Sequence, residues 1–147
     1  MRDDRGVSMA LGYVLGLSIA FLLVAGLFVA GGNFVQEQRE TGVRTEMAVI
    51  SEQIASDIES ADRLAQATDN GTSVVQRSLP SRISGSSYTI NVKGGSNPRL
   101  VLRTRDPAVT VTAQFSNTTA VTPTETPGGP IQVTYAGGKL VLERRDQ

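Results

Sequence analysis

Cysteine, histidine and tryptophan are absent from this 147-residue chain. Without cysteine there are no disulfides, no thiolate metal ligands and no thiol nucleophile. Without histidine, the commonest general base and a common metal ligand are also missing. A nucleophilic mechanism would have to use lysine or a carboxylate as its base. The two lysines, Lys93 and Lys139, both adjoin paired glycines and read as solvated turn residues. These absences argue against an enzyme and leave no cofactor or metal to assign. Excess charge is absent too: 14 basic residues balance 14 acidic ones. The chain as a whole therefore makes no case for nucleic-acid binding.

Two further absences shape the N-terminal half. No charged residue lies between Arg5 and Glu37, and no proline lies between residues 7 and 79. Within the uncharged gap, residues 7–30 read VSMALGYVLGLSIAFLLVAGLFVA. A membrane-spanning helix needs about 20 apolar residues, and this stretch exceeds that. A secretory signal peptide has a shorter apolar region, about 7–15 residues, although Val24-Ala25-Gly26 offers a small-residue site. Residues 7–32 are therefore expected to span a membrane as one helix. Arg2 and Arg5 precede the span, while its far side is rich in acid, so the N-terminus is expected in the cytoplasm and the C-terminal part outside. Gly12, Gly16 and Ala20 form a row of small residues that lets helices approach closely in lipid.

After residue 33 the apolar run becomes periodic. Val43, Met47, Ile50, Ile54, Ile58, Ala61 and Leu64 recur at steps of three and four, with Glu, Gln, Arg, Ser and Asp between them. That spacing predicts one apolar stripe along a helix over 33–69, continuing the span. Gly42 is its weak point, and Asp69-Asn70-Gly71 its stop signal. The acidic residues of this segment are expected on its solvated side.

From residue 70 the period falls to two. Tyr88, Ile90 and Val92 alternate with polar residues, as do Val109, Val111, Ala113 and Phe115. Ile131, Val133 and Tyr135, then Leu140 and Leu142, repeat the pattern. Residues 75–79 and 100–104 are less regular candidates. Five or six short strands are predicted, each with one buried face. Residues 117–130, NTTAVTPTETPGGP, are expected to form a polar loop outside the core. The fold class is therefore α+β: a long N-terminal helix packed on a small antiparallel head at 70–147.

This order of parts resembles the type IV pilin-like family. The run Arg5-Gly6-Val7-Ser8 ahead of the apolar segment is similar to archaeal prepilin leaders, and the whole chain looks like small pilin-like proteins of haloarchaea. The resemblance implies a charged leader at 1–6, cut between Gly6 and Val7 by a prepilin peptidase. It also implies that the helix stays attached to the head and packs with other pilin-like subunits, or with copies of itself, in a surface filament. Two positions depart from the family pattern. Met9 stands where many archaeal pilins carry proline, and Leu11 where bacterial pilins carry an assembly glutamate. The alternative reading is a non-assembling, single-pass anchored protein with an extracellular β domain, accessory to a membrane complex.

Two N-glycosylation sequons begin at Asn70 and Asn117, both in expected loops. Arg99, Arg103 and Arg105 are expected along one strand face, with Arg77 and Arg82 nearby. These arginines could bind polyanionic surface material; pairing with the acidic helix of the same or a neighbouring molecule is the favoured expectation. The head's Tyr88, Phe115 and Tyr135 read as core, which leaves no exposed aromatics for nucleic-acid stacking.

Overall fold

The absence of proline and the strong helix formers of residues 43–67 lead to a single helix, α1 (Asp3–Ala67), in the computed structural model. The structure describes residues 3–68 and 71–145. The chain divides into two units, Met1–Gln38 and Arg39–Gln147. The first holds the apolar half of α1. The second holds the rest of α1 and all the strands.

The strands are β1 (Ser73–Arg77), β2 (Arg82–Ile83), β3 (Ser86–Lys93), β4 (Arg99–Thr104) and β5 (Thr110–Gln114). They continue with β6 (Ala120–Val121), β7 (Thr124–Pro127), β8 (Ile131–Ala136) and β9 (Lys139–Arg144). They form two sheets. One runs β1-β8-β9-β6; the other runs β2-β3-β4-β5, with β7 also paired to β3. All pairs are antiparallel except the short β6–β9 ladder. The β8–β9 hairpin turns on Gly137 and Gly138, both at positive φ. Two such residues are what a two-residue hairpin loop requires.

One hydrophobic core joins α1 to both sheets. Val43, Met47, Ile50, Ile54, Ile58 and Ala61 are all buried, as their spacing predicts. The last step differs: Leu64 is 46% exposed, and Ala65 is buried instead. At about 3.6 residues per turn, a fourth step of four keeps the row in line, whereas Leu64 swings to its flank. Ser51, Ala55, Asp57 and Asp62 are buried beside the stripe. The buried arc is broader than one row because two sheets cover it. The sheets supply Ile83, Ile90, Leu100, Leu102, Ile131 and Leu140 among others. Each such aliphatic side chain contributes about 1.5–3 kcal/mol on full burial.

The expected loop at 117–130 is not a loop. It contains β6 and β7, Val121 lies in the core, and Thr126 is buried opposite Ile90. The segment has too few apolar residues to show a period of its own. Its strand geometry comes from hydrogen bonds to β3 and β9, which are remote in sequence. The expected strand set is also enlarged, from five or six to nine among the described residues, in two sheets.

Candidate functional site

Within the unit Met1–Gln38, residues 3–38 form a helix segment without a covering partner among the described residues. Every large hydrophobic side chain from Val7 to Val35 is exposed, and even Val24 is 51% exposed. The stretch is long and apolar enough to cross a membrane. One of its polar side chains is satisfied within the helix: the Ser18 hydroxyl donates to the Val14 carbonyl at 2.8 Å. That back-bond suits a solvent without hydrogen-bond partners. A Cβ placed on Gly12 or Gly16 would meet nothing within 4 Å, so no packing within the chain requires glycine there. Gly12, Gly16 and Ala20 are all exposed. Gly6 and Val7 lie inside α1, and space is open around Gly6.

In the unit Arg39–Gln147, two buried acids of α1 hold the head from opposite flanks of the stripe. On one flank, Asp57 takes both ends of the Arg77 guanidinium from β1, with the Nη2–Oδ1 contact at 2.6 Å. The hydrogen bond that Arg77 donates to Asp57 raises the arginine's pKa still further against the opposing effect of desolvation. On the other flank, Asp62 accepts the backbone N–H groups of Thr118 at 3.0 Å and Thr119 at 2.7 Å, and the Gln66 amide at 2.8 Å. Desolvation pushes the Asp62 pKa up, but these hydrogen bonds outweigh it, and the carboxyl lies below its ordinary value. Glu59 takes the Ser116 N–H at 3.0 Å. Acids near a helix C-terminus oppose the macrodipole, so the tertiary hydrogen bonds must compensate for their placement.

Glu59, Asp62, Arg63, Ser116, Asn117 and Thr118 line a shallow cavity of about 320 Å³. Asn117 is half-buried there. Its Nδ2 donates to the Thr119 carbonyl at 2.7 Å, and its Oδ1 is buried without a partner. Elsewhere in the head, the Tyr88 hydroxyl donates to the Pro80 carbonyl at 2.8 Å. Burial pushes the Tyr88 pKa up to about 12. Among the described residues, no group of three acidic, histidine or cysteine side chains is placed to hold a metal ion.

The family model described as "Family of unknown function (DUF7266)" matches residues 2–144. The chain belongs to DUF7266. No curated protein and no solved structure matches this DUF7266 chain.

The residues singled out from the sequence of the DUF7266 chain fall into separate places. Gly6, Val7, Gly12, Gly16 and Ala20 share the apolar half of α1. Asn117 sits on the β5–β6 connection beside Asp62, and Asn70 lies outside the described residues. Asp57 and Asp62 correct the expectation of a wholly solvated acidic face, because both are buried. Of the arginines expected to meet the acidic helix, Arg77 does so. Arg82, Arg99, Arg103 and Arg105 enter no ion pair among the described residues. The Asp62 site has no signal in the sequence because the two donors that tie it to the head are backbone amides more than fifty residues away. Backbone donors leave no residue-type signal.

Proposed function

We propose that this protein is a pilin-like surface protein that works by assembly or contact. Its N-terminus faces the cytoplasm, α1 crosses the cell membrane, and the β head lies outside. A prepilin peptidase cuts between Gly6 and Val7, and the matured helix packs against other pilin-like subunits or copies of itself. The observation that carries this reading is α1 itself. The same helix is exposed and apolar on every side at Val7–Val35 and supplies the central stripe of the head's core from Val43. Pilin-like subunits use one helix for both purposes.

N-terminal sequencing or intact-mass analysis of the native protein tests the proposal. A mature chain beginning at Val7 supports it. A chain that keeps Met1 in cells with an active prepilin peptidase sinks it.

A second reading is a non-assembling anchor accessory to a membrane complex. Leu11, an exposed apolar side chain where bacterial pilins carry an assembly glutamate, favours it. Replacing Gly6 with a bulky residue separates the two. Unchanged size and localisation point to the anchor; accumulation of a longer precursor points to the pilin-like protein.

A further inference from the structure

We propose that the outer face of the β3–β4–β5 sheet binds an acidic polysaccharide, one carrying carboxylate or sulfate groups at intervals along an extended chain. Inward residues of these strands, such as Ile90 and Leu102, belong to the core, and the residues between them form the outer face. Five basic residues gather on it or at its end: Arg82, Lys93, Arg99, Arg103 and Arg105. Lys93 stands directly opposite Arg99 in the β3–β4 ladder. Like charges placed directly across a ladder destabilise a sheet.

The chain itself does little to relieve this repulsion. None of the five enters an ion pair among the described residues. The acid on the same face is Glu125 of β7, opposite Asn91, and it already accepts the Asn91 amide at 3.0 Å. Between the cations lie small polar groups, including Thr89, Thr110 and Thr112, which can donate to an anion or a sugar hydroxyl. Ser87, Thr89, Arg103, Arg105, Glu125 and Pro127 are among the residues that line a cavity of about 410 Å³ on this face. Arg99 and Arg103 are separated by about 13 Å and Arg103 and Arg105 by about 7 Å at the rise of a strand. The result is a line of point charges along a mostly polar surface, with Val101 the buried apolar side chain between Arg99 and Arg103.

Two other polyanions fit less well. Single-stranded nucleic acid wants exposed aromatic rings for its bases, and Tyr88 and Phe115 are buried. The acidic helix of a second copy has few acids to offer. Asp57, Glu59 and Asp62 are committed within the head. Glu37, Glu40 and Glu52 share an arc of about 120° that also holds Arg44, and Glu46 lies opposite them beside Arg39. The choice of a polysaccharide rests on the proposed extracellular placement of the head; the cationic face does not.

The test uses the full chain in nanodiscs of phosphatidylcholine, with immobilised polyglucuronate and heparin as probes and dextran and oligo-dT as comparators. Binding to both acidic polysaccharides, none to dextran and weaker binding to oligo-dT is expected. Raising salt to about 0.5 M should abolish it, because exposed charges are then screened. The double variant Arg99→Glu with Arg103→Glu should bind at least about tenfold more weakly, and either single variant severalfold more weakly, whereas Lys139→Glu, a charge change equal to either single variant and placed on the exposed β8–β9 turn, should bind as before. Arg99→Gln with Arg103→Gln gives a milder second variant, should charge reversal disturb folding. No binding to either polysaccharide overturns the proposal. So does equal or tighter binding to oligo-dT, or an equal loss with Lys139→Glu. The N-terminal sequence of the native protein is read independently, so failure here and failure of the pilin-like reading are distinguishable.

Discussion

Arg77 reaches across 20 positions of sequence to chelate both carboxylate oxygens of Asp57, tying β1 to one flank of α1. Asp57 is nearly buried, whereas the Arg77 side chain keeps 39% of its surface exposed. The pair therefore lies between the surface and interior regimes. Removing the arginine strands a carboxylate in the core, whereas removing both charges does not. Arg77→Met is expected to lower stability by about 1–3 kcal/mol, and adding Asp57→Leu should recover part of that loss. Denaturant unfolding of the full chain in micelles measures both. A double variant less stable than the sum of the two single changes would contradict the arrangement.

Asp62 makes stability depend on acid. Its native pKa lies below the ordinary value of 3.8, so its contribution is complete above that value and disappears as pH falls through the lower native one. Asp62→Asn should therefore be less stable than the parent near neutrality and show a shallower loss of melting temperature below about pH 4. Parallel acid titrations of the two proteins by thermal melting provide the check. Identical acid limbs would mean that Asp62 does not carry this dependence.

Tyr88 does the reverse at high pH. Its native pKa is raised from 10.0 to about 12, so its contribution is complete below 10 and is lost as pH rises toward 12. Tyr88→Phe should remove that alkaline loss while giving up the bond to Pro80, worth about 1 kcal/mol. Gly128 is the companion test, since a Cβ there would collide with the Tyr88 ring. Gly128→Ala is expected to cost about 1–3 kcal/mol in the parent and less in Tyr88→Ala, where the ring is gone. Equal costs in both backgrounds would show that the ring is not the obstacle.

Gly12 and Gly16 separate packing within the chain from packing between chains. Nothing within 4 Å of either would meet a new Cβ, so replacing both with isoleucine should leave the head's unfolding curve unchanged. Self-association of the full chain in vesicles, followed by energy transfer between labelled copies, should fall about tenfold if the row lies at a helix–helix contact. Unchanged energy transfer would remove these glycines from any such contact.

The helix was legible because its signals are local. An uncharged run, the missing prolines and the spacing from Val43 to Ala61 all act through one element. Strands β3, β5, β8 and β9 were legible for the same reason, as their alternation reports one buried face. What stayed hidden depends on distant partners. Thr126 becomes a buried strand residue only because Ile90 stands opposite it. Asp62 resembles any solvated helical acid until the amides of Thr118 and Thr119 arrive. Leu64 was misplaced for a different reason: near the helix end, one further residue decides which side chain stays in line with the stripe. The arginines divided because position on a strand determines which face a side chain occupies. Arg77 meets the helix, whereas Arg99 and Arg103 stand on the strand face opposite Leu100 and Leu102.

The buried stripe also has a mechanical consequence. Its first core residue, Val43, belongs to the same helix as the apolar segment, so a pull on that segment reaches the core directly. The load falls on the whole row from Val43 to Ala65 in shear, with the Asp57–Arg77 clasp near its far end. The head cannot be drawn off its anchor one contact at a time. Separating the apolar segment from the sheets requires the core to yield as a unit.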